Sequence, residues 1–353
     1  MKAAVWHGRR DVRIEQVPQP PAPPPGQVKV EVACCGICGT DLHEYMAGPI
    51  YIPTEKPHPL TGAQAPVILG HEMAGKVVEV GKGVSRVTVG ERVTLCPIIG
   101  CLGCKWCEAG LMGICPNVAF LGTSWQWGGF AKYVNVYDYM CYNLPPEVPY
   151  EVGALVEPFA ATVRAVKRAT IRPEDTVAVV GTGPVGLMAV QAARIAGARQ
   201  IIALEPAQKR RQLARECGAT EVIDPLGEDP ILKINALTGE EGADVVIESA
   251  GLEKTAVLAG RIAGRAGRIM MMGVFEKPAL LDLTDLVFGE KTVLGSMGGY
   301  GVFDDAIRMM AEGQFNAGPL ITGKIGLDEI VRKGFDVLIK HKEKHAKILV
   351  MPD

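Results

Sequence analysis

The chain lacks an excess of charge of either sign. Lys and Arg number 37 against 39 Asp and Glu, a formal net charge of −2 over 353 residues. Such a balance offers no basic field for nucleic acid and no polybasic patch for a membrane surface. Long apolar runs are missing too, since none reaches the roughly 20 residues that cross a bilayer. The opening Met1-Lys-Ala-Ala-Val-Trp-His-Gly-Arg9-Arg10 holds no apolar secretory segment. There is no internal repeat. The expected setting is therefore the cytoplasm, where thiols stay reduced. In that setting the 10 cysteines read as metal ligands and buried thiols rather than as disulfides.

What is present is an ordinary globular balance, 48% hydrophobic and 22% charged, in a length that suggests two domains. Residues 1 to about 157 read as β-rich. Short Val-rich runs at Lys2–Trp6, Gln27–Ala33, Met73–Val80, Arg92–Leu95 and Phe130–Val136 are separated by Gly and Pro turns. They predict a small, partly closed barrel with long loops. The run Pro18-Gln-Pro-Pro-Ala-Pro-Pro-Pro25 is a stiff connector that no central strand accepts. From about Pro158 the texture alternates. Strands at Thr176–Val180, Gln200–Leu204, Glu221–Ile223, Ala243–Glu248, Gly267–Met272 and Thr292–Leu294 are interleaved with helical runs. That alternation predicts βαβ units and a parallel sheet. A helical stretch at Asp304–Glu312 and a strand at Ile348–Met351 follow. This last segment, 303–353, is expected to return to the N-terminal domain, leaving 158–302 as the domain between.

Cys34-Cys35-Gly36-Ile37-Cys38-Gly39-Thr40-Asp41-Leu42-His43 is the densest run of soft and titratable groups. By itself it supports a redox Cys-x-x-Cys pair, a metal ligand completed from elsewhere, or a tight Gly-rich turn with buried thiols. Gly70-His71-Glu72 adds an imidazole and a carboxylate. Cys38, His71 and one carboxylate make an open zinc site with a position free for substrate. Glu72 and Glu157, the latter in Leu155-Val-Glu157-Pro-Phe, compete for the third place, and the sequence does not choose. Cys101, Cys104, Cys107 and Cys115 match a closed, all-thiolate structural zinc site. Gly181-Thr-Gly183-Pro184-Val185-Gly186 follows a strand and opens a helix, the arrangement that seats a dinucleotide pyrophosphate. Glu205 lies 24 residues after Gly181, where a carboxylate accepts both ribose hydroxyls and repels a 2′-phosphate. That points to NAD, with Arg210 near the adenosine side.

Taken together and in this order, Cys38-Gly-Thr-Asp41, Gly70-His-Glu72, the four-cysteine loop, Val156-Glu-Pro158 and the Gly181 loop resemble the zinc-dependent medium-chain alcohol dehydrogenases over essentially the whole length. Within that family, His43-Glu-Tyr-Met-Ala-Gly-Pro-Ile-Tyr-Ile-Pro53 and Lys56-Pro-His-Pro59 are most similar to 2,3-butanediol dehydrogenases. Sorbitol and threonine dehydrogenases are relatives. One departure is that the four-cysteine loop, absent from some butanediol dehydrogenases, is complete here.

The resemblance implies an α/β chain made of a GroES-like β-barrel catalytic domain and a Rossmann doubly wound sheet. It implies two zinc ions per chain and NAD. It favours Glu157 over Glu72 as the third catalytic ligand, with Glu72 a nearby, exchanging ligand. It implies a proton path from Thr40 through the nicotinamide ribose to His43, and an orienting role for Asp41. It places Val274 by the nicotinamide. Tyr51, Phe120, Trp125 and Trp127 are candidate walls of a substrate pocket between the domains, or core. The implied activity is hydride transfer between NAD(H) and a secondary alcohol or vicinal diol, 2,3-butanediol and acetoin first, with polyol or threonine oxidation as alternatives. A catalytically silent NAD-binding protein is the reading from a different class. A homodimer or homotetramer is implied, with edge pairing at Thr292–Gly295.

Overall fold

A computed structural model describes residues 1–352. The chain forms two compact units. The first is Met1–Glu157 with Tyr300–Gly313 and everything from Ile321 on; the second is Pro158–Gly299 with Gln314–Leu320.

In the first unit a seven-stranded sheet runs in the order Cys141–Asn143, Arg92–Leu95, Glu72–Val80, Gln27–Gly36, Lys347–Met351, Ile321–Gly326, with Tyr133–Tyr137 also paired to Gln27–Gly36. Val28, Val30 and Val32 alternate inward along Gln27–Gly36 and meet Trp6, Met73, Leu95, Phe130 and Phe335 in one core. The last described strand sits between Gln27–Gly36 and Ile321–Gly326, antiparallel to the former at Leu349↔Gly36 and Val350↔Cys35.

The second unit is a six-stranded, all-parallel sheet. Its order is Glu221–Ile223, Gln200–Leu204, Thr176–Val180, Ala243–Glu248, Ala263–Met271, Thr292–Gly295. Every residue of Thr176–Val180 is buried, as expected of a strand covered by helices on both faces. Two helices here are not foreseen by the alternation alone. Pro230–Thr238 is capped by Asp229, which accepts from the N–H groups of Ile231 and Leu232, and Leu283–Gly289 is capped by Asp282.

The expected boundary after 302 is redrawn. Gln314–Leu320 packs with the second unit, because Phe315 lies 4.4 Å (centroids) from Phe159. In addition, the Gln191 side chain donates to Asn316 O at 2.8 Å and accepts from its N–H at 2.7 Å. Tyr300–Val302 belongs to the first unit. Among the described residues, no helix is long and apolar enough to cross a membrane.

Candidate active site and metal centres

The stretch after Gln27–Gly36 is the beginning of a helix and not only a turn. Cys38 is the N-cap of Gly39–Ala47, and its backbone N–H donates to Asp41 Oδ2 at 2.8 Å. A carboxylate three residues into a helix satisfies an otherwise orphaned donor and meets the positive end of the helix dipole. Asp41 is fully buried. Its Oδ1 also accepts the N–H of Gly70 at 3.3 Å and stands 3.7 Å from His71 Nδ1. One carboxylate thus ties the Cys38 turn to the His71 turn.

The sheet register does the rest. Gly36 lies opposite Glu72 on antiparallel strands, so segments more than 30 residues apart meet. Ligand atoms of Cys38, His71 and Glu72 come within 4.8 Å of one another. His71 Nδ1 is buried and makes no hydrogen bond. Burial opposes charge on this imidazole, but Cys38 and Asp41 outweigh it and hold its pKa well above the ordinary range. A thiol, an imidazole and carboxylates gathered around an under-satisfied ring fit a zinc ion well.

The two candidate carboxylates are not equivalent. Glu72 is fully buried and gives both oxygens to Lys347 Nζ, at 2.7 and 2.6 Å. Lys347, also buried, donates its remaining proton to Ile37 O at 3.1 Å. Every donor of that ammonium is therefore engaged. Glu157 stands outside the 4.8 Å group, half-buried at the start of the helix Val156–Ala169. Burial raises its carboxyl to about 7; His71 and Lys347 work against that rise, and Glu72 and Asp41 reinforce it. It carries no bound cation, in contrast to Glu72. Lys347 gave no signal in the sequence beyond a polar residue leading an apolar strand.

Thr40 and His43 lie on the first turns of the Cys38 helix, both half-buried. The Cys38 thiol faces Thr40 Oγ1 at 3.7 Å. Cys34 and Cys35 are fully buried. Desolvation pushes Cys34 up to about 12 and Cys35 well above the thiol range, so neither is poised for redox chemistry.

The other cluster joins Cys101, Cys104, Cys107 and Cys115, whose sulfurs are mutually within 4.8 Å, with Cys104 and Cys115 at 3.8 Å. The backbone N–H of Cys107 leads the groups that lower Cys104 to about 7, while burial lifts its neighbour Cys107 to about 12, so the cluster releases its first proton at Cys104. Four sulfurs with no further donor fit closed structural zinc. Cys104→Ser is expected to remove one zinc per chain and to cost about 2–3 kcal/mol, a fall in Tm of about 5–10 °C. Elemental analysis with a thermal scan checks it, and an unchanged metal content would refute the assignment.

In the second unit, Gly181 holds φ +84°, a conformation open chiefly to glycine. A side chain at Gly186 would strike Gly181 O and Ser249 Oγ. Gly183 caps the helix Pro184–Ile195, with Pro184 in its first turn. Glu205 is buried, and its carboxylate is fixed by three donors. Thr182 N (2.9 Å) and Oγ1 (3.2 Å) reach Oε2, and Ala207 N (3.0 Å) reaches Oε1. Thr182 is an anchor the motif reading passed over. Arg210 lies beside the loop, its backbone O accepting from Thr182 Oγ1 at 3.5 Å. Val274 is exposed.

Among the aromatic candidates, Trp125 belongs to the core and donates Nε1–H to Asn135 O at 3.1 Å. Trp127 packs against that core. Tyr51 is exposed and meets Phe120 edge-on at 6.3 Å, leaving this pair as the wall candidates.

Comparison with known proteins agrees with this geometry. Residues 24–146 match the alcohol dehydrogenase GroES-like domain, and residues 184–312 match the zinc-binding dehydrogenase family. The chain is 42% identical over 353 residues to (R,R)-butanediol dehydrogenase of Bacillus subtilis (strain 168), covering 100% of both chains. It is 32% identical over 358 residues to sorbitol dehydrogenase of the same organism, covering 100% of this chain and 98% of that one. The crystal structure of 2R,3R-butanediol dehydrogenase from Bacillus subtilis superposes with a TM-score of 0.94, covering 100% of this chain and 99% of that one. With a GroES-like unit, a doubly wound parallel sheet and full-length similarity of this order, the chain belongs to the zinc-dependent medium-chain alcohol dehydrogenases, enzymes that use zinc and NAD(H).

Proposed function

We propose that the chain interconverts a vicinal diol and its hydroxyketone, 2,3-butanediol and acetoin first, with NAD as the hydride partner. The observation that carries this reading is the gathering of Cys38, His71 and Glu72 within 4.8 Å of one another while Lys347 occupies Glu72. Cys38, His71 and Glu157 would hold the zinc, and Lys347 keeps Glu72 paired. Zinc held there supplies a Lewis acid that makes the substrate hydroxyl more acidic. Thr40 Oγ1 would accept the substrate hydroxyl proton as it gives up its own through the nicotinamide ribose to His43, three residues on and so on the same helix face, which passes a proton to solvent. Asp41, 3.7 Å from His71 Nδ1, would orient that ring electrostatically, the part second-sphere carboxylates play for ligating imidazoles. NAD would supply the hydride acceptor, and the residues that would hold it are the Gly181–Gly186 loop, Glu205 and Arg210 for the adenosine end and Val274 for the nicotinamide end.

The neutral diol is favoured over threonine by charge. Lys347, the cation at the cluster, has all its donors engaged, so it does not serve as an anchor for a substrate carboxylate. The test is the initial rate of NADH formation with 2,3-butanediol, sorbitol and threonine. Expected is the highest kcat/KM with 2,3-butanediol. A higher value with either alternative would reassign the substrate, and binding of NAD without turnover of any would favour a silent NAD-binding protein.

Glu205 sets the cofactor choice. A 2′-phosphate set against a fixed, buried carboxylate costs several kcal/mol, so kcat/KM is expected to favour NAD over NADP by about 100-fold or more. Glu205→Ser should erase most of that ratio, and equal efficiency of the wild type with both cofactors would contradict it.

The expected homodimer or homotetramer draws support from Leu280, Leu283, Val287 and Phe288, exposed by 73%, 69%, 72% and 74%, beside the edge strand Thr292–Gly295. Sedimentation would measure it. The cytoplasmic setting is supported by ten cysteines that form no disulfide among the described residues.

A further inference from the structure

The second unit holds a buried carboxylate that the cofactor reading leaves unused. Glu248 ends the strand Ala243–Glu248, opposite Val180 on one neighbour and Met271 on the other. This is the place where the strand order reverses direction, the switch point at which doubly wound sheets bind ligands. Glu248 is completely buried. A carboxylate there costs several kcal/mol unless donors surround it.

Those donors come from the turn after the strand and from the first turn of the helix Glu253–Ile262. Oε1 accepts the N–H groups of Ala250 and Gly251, both at 2.9 Å, and the Thr255 hydroxyl at 2.7 Å. The backbone O of the same residue accepts the N–H of Met272 at 2.8 Å and of Gly273 at 3.1 Å. Glu248 therefore joins the turn after its own strand to the turn after the next. The two turns touch with no room for side chains: a Cβ at Gly251 would lie 2.5 Å from Val274 O, and one at Gly273 would lie 2.6 Å from Glu248 Oε2. Oε2 itself is buried and makes no hydrogen bond. The Gly181 loop has its own anchor at Thr182 and Glu205 and also takes the Ser249 hydroxyl on Gly181 O at 2.8 Å, whereas the Glu248 carboxylate itself clamps Ala250-Gly251 against Gly273-Val274.

We propose that Glu248 is a positioning residue for hydride transfer: by clamping Ala250-Gly251 beneath Gly273-Val274 it sets where the nicotinamide end of the cofactor lies. The inference rests on the reading of Val274 as the nicotinamide contact and of the Gly181 loop as the seat of the pyrophosphate. A displaced nicotinamide slows the chemical step while the ADP half still binds.

The test compares wild type, Glu248→Ala, Glu248→Gln and Thr255→Val. ADP-ribose affinity is measured by calorimetry. Hydride transfer is measured with butanediol deuterated at the carbinol carbon. In Glu248→Ala, ADP-ribose should bind within about twofold of wild type, while hydride transfer slows about 10–100-fold and the deuterium isotope effect on kcat rises. Glu248→Gln keeps an acceptor for the same three donors and should restore most of the rate. Thr255→Val removes one donor without touching the strand and should move rate and isotope effect the same way, by less. A purely structural role would lower rate and ADP-ribose binding together and leave the isotope effect unchanged. That result, or wild-type hydride transfer in both Glu248→Ala and Thr255→Val, overturns the proposal. Failure of the underlying cofactor reading would appear instead in the wild type, as absent binding of NAD and ADP-ribose.

Discussion

Cys38→Ser is expected to stop turnover and leave the fold standing. Cys38 caps the helix Gly39–Ala47, and serine is a better N-cap than cysteine, so the backbone loses nothing. The strand before it, Gln27–Gly36, remains held on both sides by pairing with Glu72–Val80 and Tyr133–Tyr137. What disappears is the only sulfur ligand in the Cys38, His71, Glu72 cluster. A neutral hydroxyl is a poor substitute for a thiolate on zinc. Zinc should fall from two to one per chain, the four-cysteine site keeping its own. Loss of the Lewis acid removes several kcal/mol of transition-state stabilisation, about 10³-fold or more in kcat. Wild-type activity in this variant would remove the catalytic-zinc assignment altogether.

Lys347→Met is expected to be the most destabilising single change in the first unit. Lys347 and Glu72 are 2% and 0% exposed, and they bond at 2.7 and 2.6 Å through both carboxylate oxygens. A buried pair of this kind adds little over a well-packed apolar pair, but removing one partner strands the other charge at a cost of about 3–5 kcal/mol. For a chain of this size that is a fall in Tm of about 10 °C. Lys347→Met combined with Glu72→Gln should recover most of the loss, since no charge is then left behind. Denaturant unfolding of the two single variants and the double variant measures the coupling. A single variant as stable as wild type would mean that the pair is solvated and does not hold Glu72 in place.

The parallel sheet was legible because its strands are short, apolar and punctuated. Thr176–Val180, Gln200–Leu204, Glu221–Ile223 and Ala243–Glu248 fall where the residues alone place them. The strand Ile321–Gly326 was not, for Gly323 and Gly326 interrupt its pattern and it exists through its parallel pairing with Lys347–Met351. The helix Gly39–Ala47 was hidden by the glycines around Cys38, although Asp41 three residues on was its cap signal. Asp229-Pro230 was likewise a readable helix start.

In the site, local motifs named Cys38, His71, Glu72, Glu157 and the four-cysteine loop. Groups that act through tertiary register were out of reach. Lys347 meets Glu72 only because Leu349 pairs with Gly36 while Gly36 pairs with Glu72. Glu248 reads in the sequence as one polar residue at the end of an apolar strand, and its clamp appears only once two turns touch.

The catalytic metal centre is the claim on which the activity depends, and anomalous diffraction at the zinc edge from crystals of the wild-type chain tests it most directly. Two zinc peaks per chain are expected. One should lie amid Cys101, Cys104, Cys107 and Cys115. The other should lie about 2.3 Å from Cys38 Sγ and about 2.1 Å from a His71 ring nitrogen and a Glu157 oxygen, with Glu72 still paired to Lys347. A single peak at the four cysteines, or a second zinc bound to Glu72 with Lys347 displaced and Glu157 unbound, would contradict it.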